Sequence, residues 1–168
     1  MKRRTSILLS IISVILFVGC NDSLHAIIPA EEEKYYTPKE LAVLFQTYED
    51  RFFEVANIVL DNEPLEDMMI QSKEGAVSIW TETKKTCFTE EEWEKIVALF
   101  RDTGLSRIER NVKGGAEAIQ FLYRKEEGTI LYYFPTDDEE NRRYNTQFTS
   151  YVEQVDDGWW IGLEAPLY

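Results

Sequence analysis

The chain has 168 residues, of which 44% are hydrophobic, 13% aromatic and 29% charged, a globular composition that excludes wholesale disorder. Its 31 acidic and 18 basic residues give a formal net charge of −13, too little positive charge for the large basic face that nucleic-acid binding needs. One His and two Cys exclude a multi-His metal site and a disulfide framework.

Lys2, Arg3 and Arg4 form a positive start, followed by an apolar run from Ile7 to Val18 broken only by Ser10 and Ser13. That run is short for a membrane span. It ends in Phe17-Val18-Gly19-Cys20. This segment resembles the signal of bacterial lipoproteins. Such signals close in a lipobox of an aliphatic residue, a variable residue, Gly or Ala, and then Cys. Phe17 stands at the first of these positions, with Leu16 just before it. The resemblance covers the signal alone. It implies cleavage after Gly19 and a thioether-linked diacylglyceryl group on Cys20. The protein is then lipid-anchored on the extracytoplasmic face of a bacterial cell membrane. The alternative is an uncleaved N-terminal anchor, and both readings export the domain and tether it. Loss of Lys2, Arg3 and Arg4 takes the charge from −13 to −16. The two chains of a diacylglyceryl group suffice for stable anchoring. Asn21 and Asp22 favour retention at the cytoplasmic membrane. With Cys20 acylated, Cys87 has no partner in the chain and reads as a free, partly buried thiol, the alternative being an intermolecular bridge.

Residues 20–34 read as a flexible tether, polar and small, with Glu31, Glu32 and Glu33 in sequence and the only histidine, His25, inside it. A single domain follows over 35–168. Thr37-Pro38-Lys39-Glu40 is a capping box with proline at the first helical position. Leu41, Leu44, Phe45, Tyr48, Phe52, Val55, Ala56 and Val59 then recur at helical spacing, and Asp61, Asn62 and Pro64 end the helix. Thr89-Glu90-Glu91-Glu92 opens a second helix in the same way. Its stripe is Trp93, Ile96, Val97 and Phe100, closed by Gly104 and Leu105.

The remaining segments read as strands. Met68–Ser72 and Ala76–Thr81 flank a turn. Ser106–Val112 leads through Gly114-Gly115 into Glu117–Lys125, and Glu127-Gly128 leads into Thr129–Phe134. An acidic loop, Thr136–Asn145, precedes a last hairpin of Thr149–Asp156 and Trp159–Glu164 around Asp157-Gly158. Tight turns between successive strands predict an α+β fold: two helices packed on a mainly antiparallel sheet of about five to seven strands.

Two-residue turns at Glu127-Gly128 and Asp157-Gly158 place Phe121, Tyr123, Ile130, Tyr132, Phe134, Val152, Trp159, Ile161 and Leu163 on the helix-facing side. The opposite side then carries Leu122, Leu131, Tyr133, Tyr151, Val155 and Trp160. An aromatic-rich face of this kind marks a partner site. Aromatic stripes are more often core, which favours a face that a helix or the Met68–Thr81 hairpin covers.

No catalytic residue is assigned. The domain has no histidine, so Ser-His-Asp and Cys-His arrangements are unavailable to it. Lys113-Gly114-Gly115 lacks the spacing of a phosphate-cradling loop. Asp137, Asp138, Glu139, Glu140 and Asn141 offer oxygens for calcium without the EF-hand pattern, and neither a metal nor a cofactor is assigned. The sequence therefore reads as a non-enzymatic, lipid-anchored binding domain. Its acidity would attract a cationic protein or peptide partner rather than nucleic acid. The alternatives are an envelope enzyme using paired carboxylates, with Glu153 and Glu164 as the first pair to inspect, and a small-ligand or cation binder.

Overall fold

The computed structural model describes residues 25–27, 36–62, 68–73, 75–81, 88–113, 116–123 and 128–164. Cys20, Cys87 and the signal segment lie outside them. The fold is α+β: helices pack on an antiparallel sheet, as the turn pattern predicts. The elements are β1 (His25–Ile27), α1 (Pro38–Asp61), β2 (Met68–Lys73), β3 (Ala76–Thr81), α2 (Glu90–Thr103), β4 (Arg107–Lys113), β5 (Ala116–Tyr123), β6 (Thr129–Tyr133), α3 (Glu139–Asn145), β7 (Thr149–Asp156) and β8 (Trp159–Glu164). The sheet runs β1-β3-β2-β4-β5-β6-β8-β7. Seven strands make its body, and the three-residue β1 adds to its β3 edge.

Both long helices begin where their capping boxes predict. The Thr37 side chain accepts from the Glu40 backbone N–H while the Glu40 carboxylate accepts from the Thr37 N–H, and Thr89 and Glu92 repeat this exchange. Each box satisfies two N–H groups that a helix start leaves without partners. In α1 the Thr47 hydroxyl donates to the Val43 carbonyl at 2.8 Å, and the helix kinks at the next residue, Tyr48. Such back-bonding one turn down bends helices. Gly104 ends α2 in the left-handed conformation, φ 68°, and donates to the Phe100 carbonyl.

The two helices cover one face of the sheet. Its central row is Ile79, Ile70, Ile108, Phe121, Leu131 and Ile161, all buried and in register across six strands. Trp159 is fully buried among the rings of Phe45, Phe52, Phe53, Phe121 and Tyr133, with centroids 4.7 to 6.1 Å away. Burying an aromatic of this size stabilises by several kcal/mol (~3–5 by the cost of truncation to alanine), and edge-to-face pairs add to it. Tyr36, the residue before the first N-cap, sets its ring edge-on to Tyr123 and donates its hydroxyl to the Thr103 carbonyl. It thereby ties the start of α1 to the end of α2 and to β5.

Four features depart from the sequence expectations. Tyr123 pairs with Thr129, so the β5–β6 connection has five residues rather than two. That odd shift in register turns β6 over, because side chains alternate with a period of two. Leu131 and Tyr133 therefore enter the helix-side core, while Ile130, Tyr132 and Phe134 move to the back face. The β7–β8 turn does have two residues, since Asp156 pairs with Trp159. An irregularity between Gln154 and Asp156 shifts the pairs beyond it by one, so Val152 stands opposite Gly162 rather than Leu163. The acidic segment contains a short helix, α3, whose Asp138 side chain accepts from the Asn141 N–H. Finally, His25–Ile27, within the expected tether, pairs as β1 with Ala76–Ser78. Edge pairing uses backbone groups, so it leaves little signal in side-chain pattern.

Candidate functional site

The six residues expected to share one face are divided between two. Leu131 is fully buried in the helix-side core, Tyr133 stacks on Trp159 there, and Val155 packs against the same cluster. Tyr151 pairs with Leu163 on the helix side of β7. Leu122 and Trp160 lie on the back face with Ala118, Ile130, Tyr132 and Phe134.

The back face is partly covered by α3 and its flanking turn. The buried Asn141 amide donates to the Glu117 and Thr136 carbonyls, both at 2.9 Å. The Arg142 guanidinium lies over the Trp160 ring at 4.8 Å and pairs with Asp137. Asp137 also accepts from the Trp160 indole N–H. Asp137 and Asn141, two of the five residues considered for calcium, thus hold α3 to the sheet, and Asp138, a third, caps the helix. Among the described residues no three His, Cys, Asp or Glu side chains are grouped so as to hold a metal ion.

Glu153 and Glu164 do not converge. Glu153 stands opposite Ile161 on the helix side, whereas Glu164 stands opposite Thr149 on the back face. The carboxyl that burial perturbs is instead Glu109 on β4, in the back-face row Trp80, Met69, Glu109, Gln120, Tyr132, Trp160, Gln154. Burial pushes the Glu109 carboxyl above the ordinary glutamate range. Arg107, 3.0 Å away, works against this, and the negative charge of Glu164 adds to it. Tyr132 shares this surface: its hydroxyl meets that of Thr149 at 3.0 Å, and burial pushes its phenol up to about 12. Glu109 is therefore ion-paired beside a neutral tyrosine, with no histidine or cysteine described near it.

Among the described residues, exposed large hydrophobic side chains concentrate at the β7 edge of the sheet. Six large hydrophobic side chains are exposed among the described residues, and four of them, Tyr144, Phe148, Tyr151 and Val152, fall in one short stretch. This stretch runs from the end of α3 through the turn into β7. Phe148 is 71% exposed, and Tyr151 and Val152 are 38% and 37% exposed on opposite sides of the strand. A folded chain scatters single exposed hydrophobics over its surface, but a cluster rimmed by polar groups marks an interaction site. β7 is also the last strand of the sheet, pairing only with β8 among the described residues. Residues 150–154 are exposed without interruption.

No ion pair among the described residues involves β7 or β8. Lys95 bridges Glu54 and Glu91, Arg51 and Arg101 meet Asp102, Arg107 meets Glu109, Arg110 meets Glu117, and Arg142 meets Asp137. No Lys or Arg follows Arg143 in the sequence. Among the described residues no cation pairs with Glu153, Asp156, Asp157 or Glu164. That loss of cations after Arg143 marks this edge in the sequence, and of its exposed hydrophobics Tyr151 alone stands among the six candidate-face residues. Tyr144, Phe148 and Val152 were missed because strand order and register, which decide what is exposed, cannot be read from alternation alone.

Among the described residues no helix is long and apolar enough to cross a membrane. No protein-family model matches the sequence, and no curated protein or solved structure shows significant similarity to it.

Proposed function

We propose that this protein is a lipid-anchored extracytoplasmic interaction module, without catalytic activity, that takes a protein partner at the β7 edge of its sheet. The observation that carries the reading is the stretch of Tyr144, Phe148, Tyr151 and Val152, exposed from the end of α3 into an open edge strand. Aromatic and aliphatic anchors ringed by polar groups are what a protein interface uses for affinity. The anchor rests on the lipoprotein-like signal ending at Cys20. It would hold the module near other envelope proteins and so raise their effective concentration. The paired-carboxylate alternative loses its first pair, because Glu153 and Glu164 stand on opposite faces.

The test is the native size of the full chain after mild solubilisation of its own membranes. The proposal expects a complex larger than the lipidated monomer, lost in a Tyr151→Lys, Val152→Lys variant that still melts cooperatively. A monomer in wild type, or an unchanged complex in the variant, contradicts it.

A further inference from the structure

Resting on the interaction-module reading, we infer that β7 binds its partner by strand addition. The occupant is an extended, Lys- or Arg-bearing segment of another protein, whose cations stand against Glu153, Asp156 and Asp157.

Three observations lead to this occupant. β7 is eight residues long, and its outer edge has no described strand beside it. An edge strand offers a row of backbone donors and acceptors that an incoming strand can satisfy. Tyr151 and Val152 project from opposite sides of the strand and are both exposed, so an added strand finds apolar contact on each face. The carboxylates Glu153, Asp156 and Asp157 have no ion-pair partner among the described residues. A cationic segment would neutralise them and be steered to them.

The same charges disfavour the other occupants. Two copies pairing through β7 would bring two anionic strands together, in chains that each carry a net charge of −13 or below. The acidic run Glu31–Glu33 has the wrong sign to lie along β7.

The test uses the full lipidated chain in neutral-detergent micelles. The probe is a fluorescent decapeptide of alternating Lys and Val, and its control is the Glu–Val counterpart. The expected result is saturable binding of the Lys–Val peptide alone, with slowed amide hydrogen exchange over Thr149–Asp156. Glu153→Lys should weaken binding about tenfold, as for a charge reversal at a binding surface, and Val152→Lys should weaken it without lowering the melting temperature. Three results overturn the inference: no binding, binding without slowed exchange in β7, or β7 protection in the free protein that grows with its own concentration. The last assigns the edge to a second copy. Each would leave the interaction-module reading to the native-complex measurement, which uses no peptide.

Discussion

The ring of Tyr132 lies across Gly162, so close that a Cβ at position 162 would stand 2.9 Å from Tyr132 Cε2 and 2.5 Å from Thr149 Cγ2. Gly162 is therefore the space that lets a β6 tyrosine reach over β8 and bring its hydroxyl to Thr149 at the start of β7. The contact ties the outermost strand to the body of the sheet. Gly162→Ala must displace an aromatic ring or a short β-branched side chain, neither of which yields easily. It should cost ~1–3 kcal/mol, as overpacking does, and lower the melting temperature. Hydrogen exchange should accelerate first in β7. A variant with unchanged stability and unchanged β7 exchange would refute the contact.

Thr37 and Thr89 each hold a capping box. Thr37→Ala or Thr89→Ala should each cost about 1 kcal/mol, the usual loss on removing an N-cap, measured by denaturant unfolding. The acid partner adds a pH signature. Hydrogen bonds from the Thr37 backbone and hydroxyl hold the Glu40 carboxyl below its ordinary value. Its contribution is present above the ordinary glutamate range and is lost as pH falls through the depressed value. Thr37→Ala keeps the backbone N–H and should only reduce that acid sensitivity, whereas Glu40→Gln should remove it; a Glu40→Gln variant as acid-sensitive as wild type would argue against the box.

Glu109 carries the opposite sign. Its folded carboxyl is raised by burial, so its stability contribution is fullest at acid pH and is lost as pH rises through the raised value. Glu109→Gln should therefore unfold at a higher temperature than wild type at neutral pH, by an amount within ~1 kcal/mol, the scale of a partly exposed ion pair. The advantage should vanish below the ordinary glutamate range. If the variant is less stable at neutral pH, the Arg107 pairing outweighs the burial cost.

Cys20 carries the anchor in this account. Mass spectrometry of the mature N-terminus should find Cys20 as the first residue with a diacylglyceryl group attached, and Cys20→Ser should abolish both cleavage and lipid. A mature wild-type chain that starts elsewhere, or that retains Lys2–Gly19, would reject the lipoprotein assignment.

The helices were legible because each announces itself locally. Thr37-Pro38 and Thr89-Glu90 mark the starts, and Gly104 marks an end with a positive φ. Strand positions were legible for the same reason, from turns such as Asp157-Gly158. What failed was everything set between elements. Whether the β5–β6 connection has two residues or five decides which way Leu131 and Tyr133 point, and no residue between Tyr123 and Thr129 announces that length. A β7 irregularity moved Val152 from the expected core face to the open face. α3 was hidden because its seven residues are polar and make their main contacts through Asn141 and Arg142 rather than through an apolar stripe. The candidate edge was accordingly visible only in Tyr151 and in its charge, through the absence of cations after Arg143.

The central claim is that β7 is an interaction edge, and site-specific photocrosslinking of the anchored chain in its own cells tests it most directly. A photoreactive residue at Val152 is compared with one at Val43, an exposed position on α1 far from β7 in the chain. The account predicts one defined protein adduct from position 152, lost with Glu153→Lys, and none of it from position 43. No adduct at position 152, or the same adduct from both positions, would contradict it.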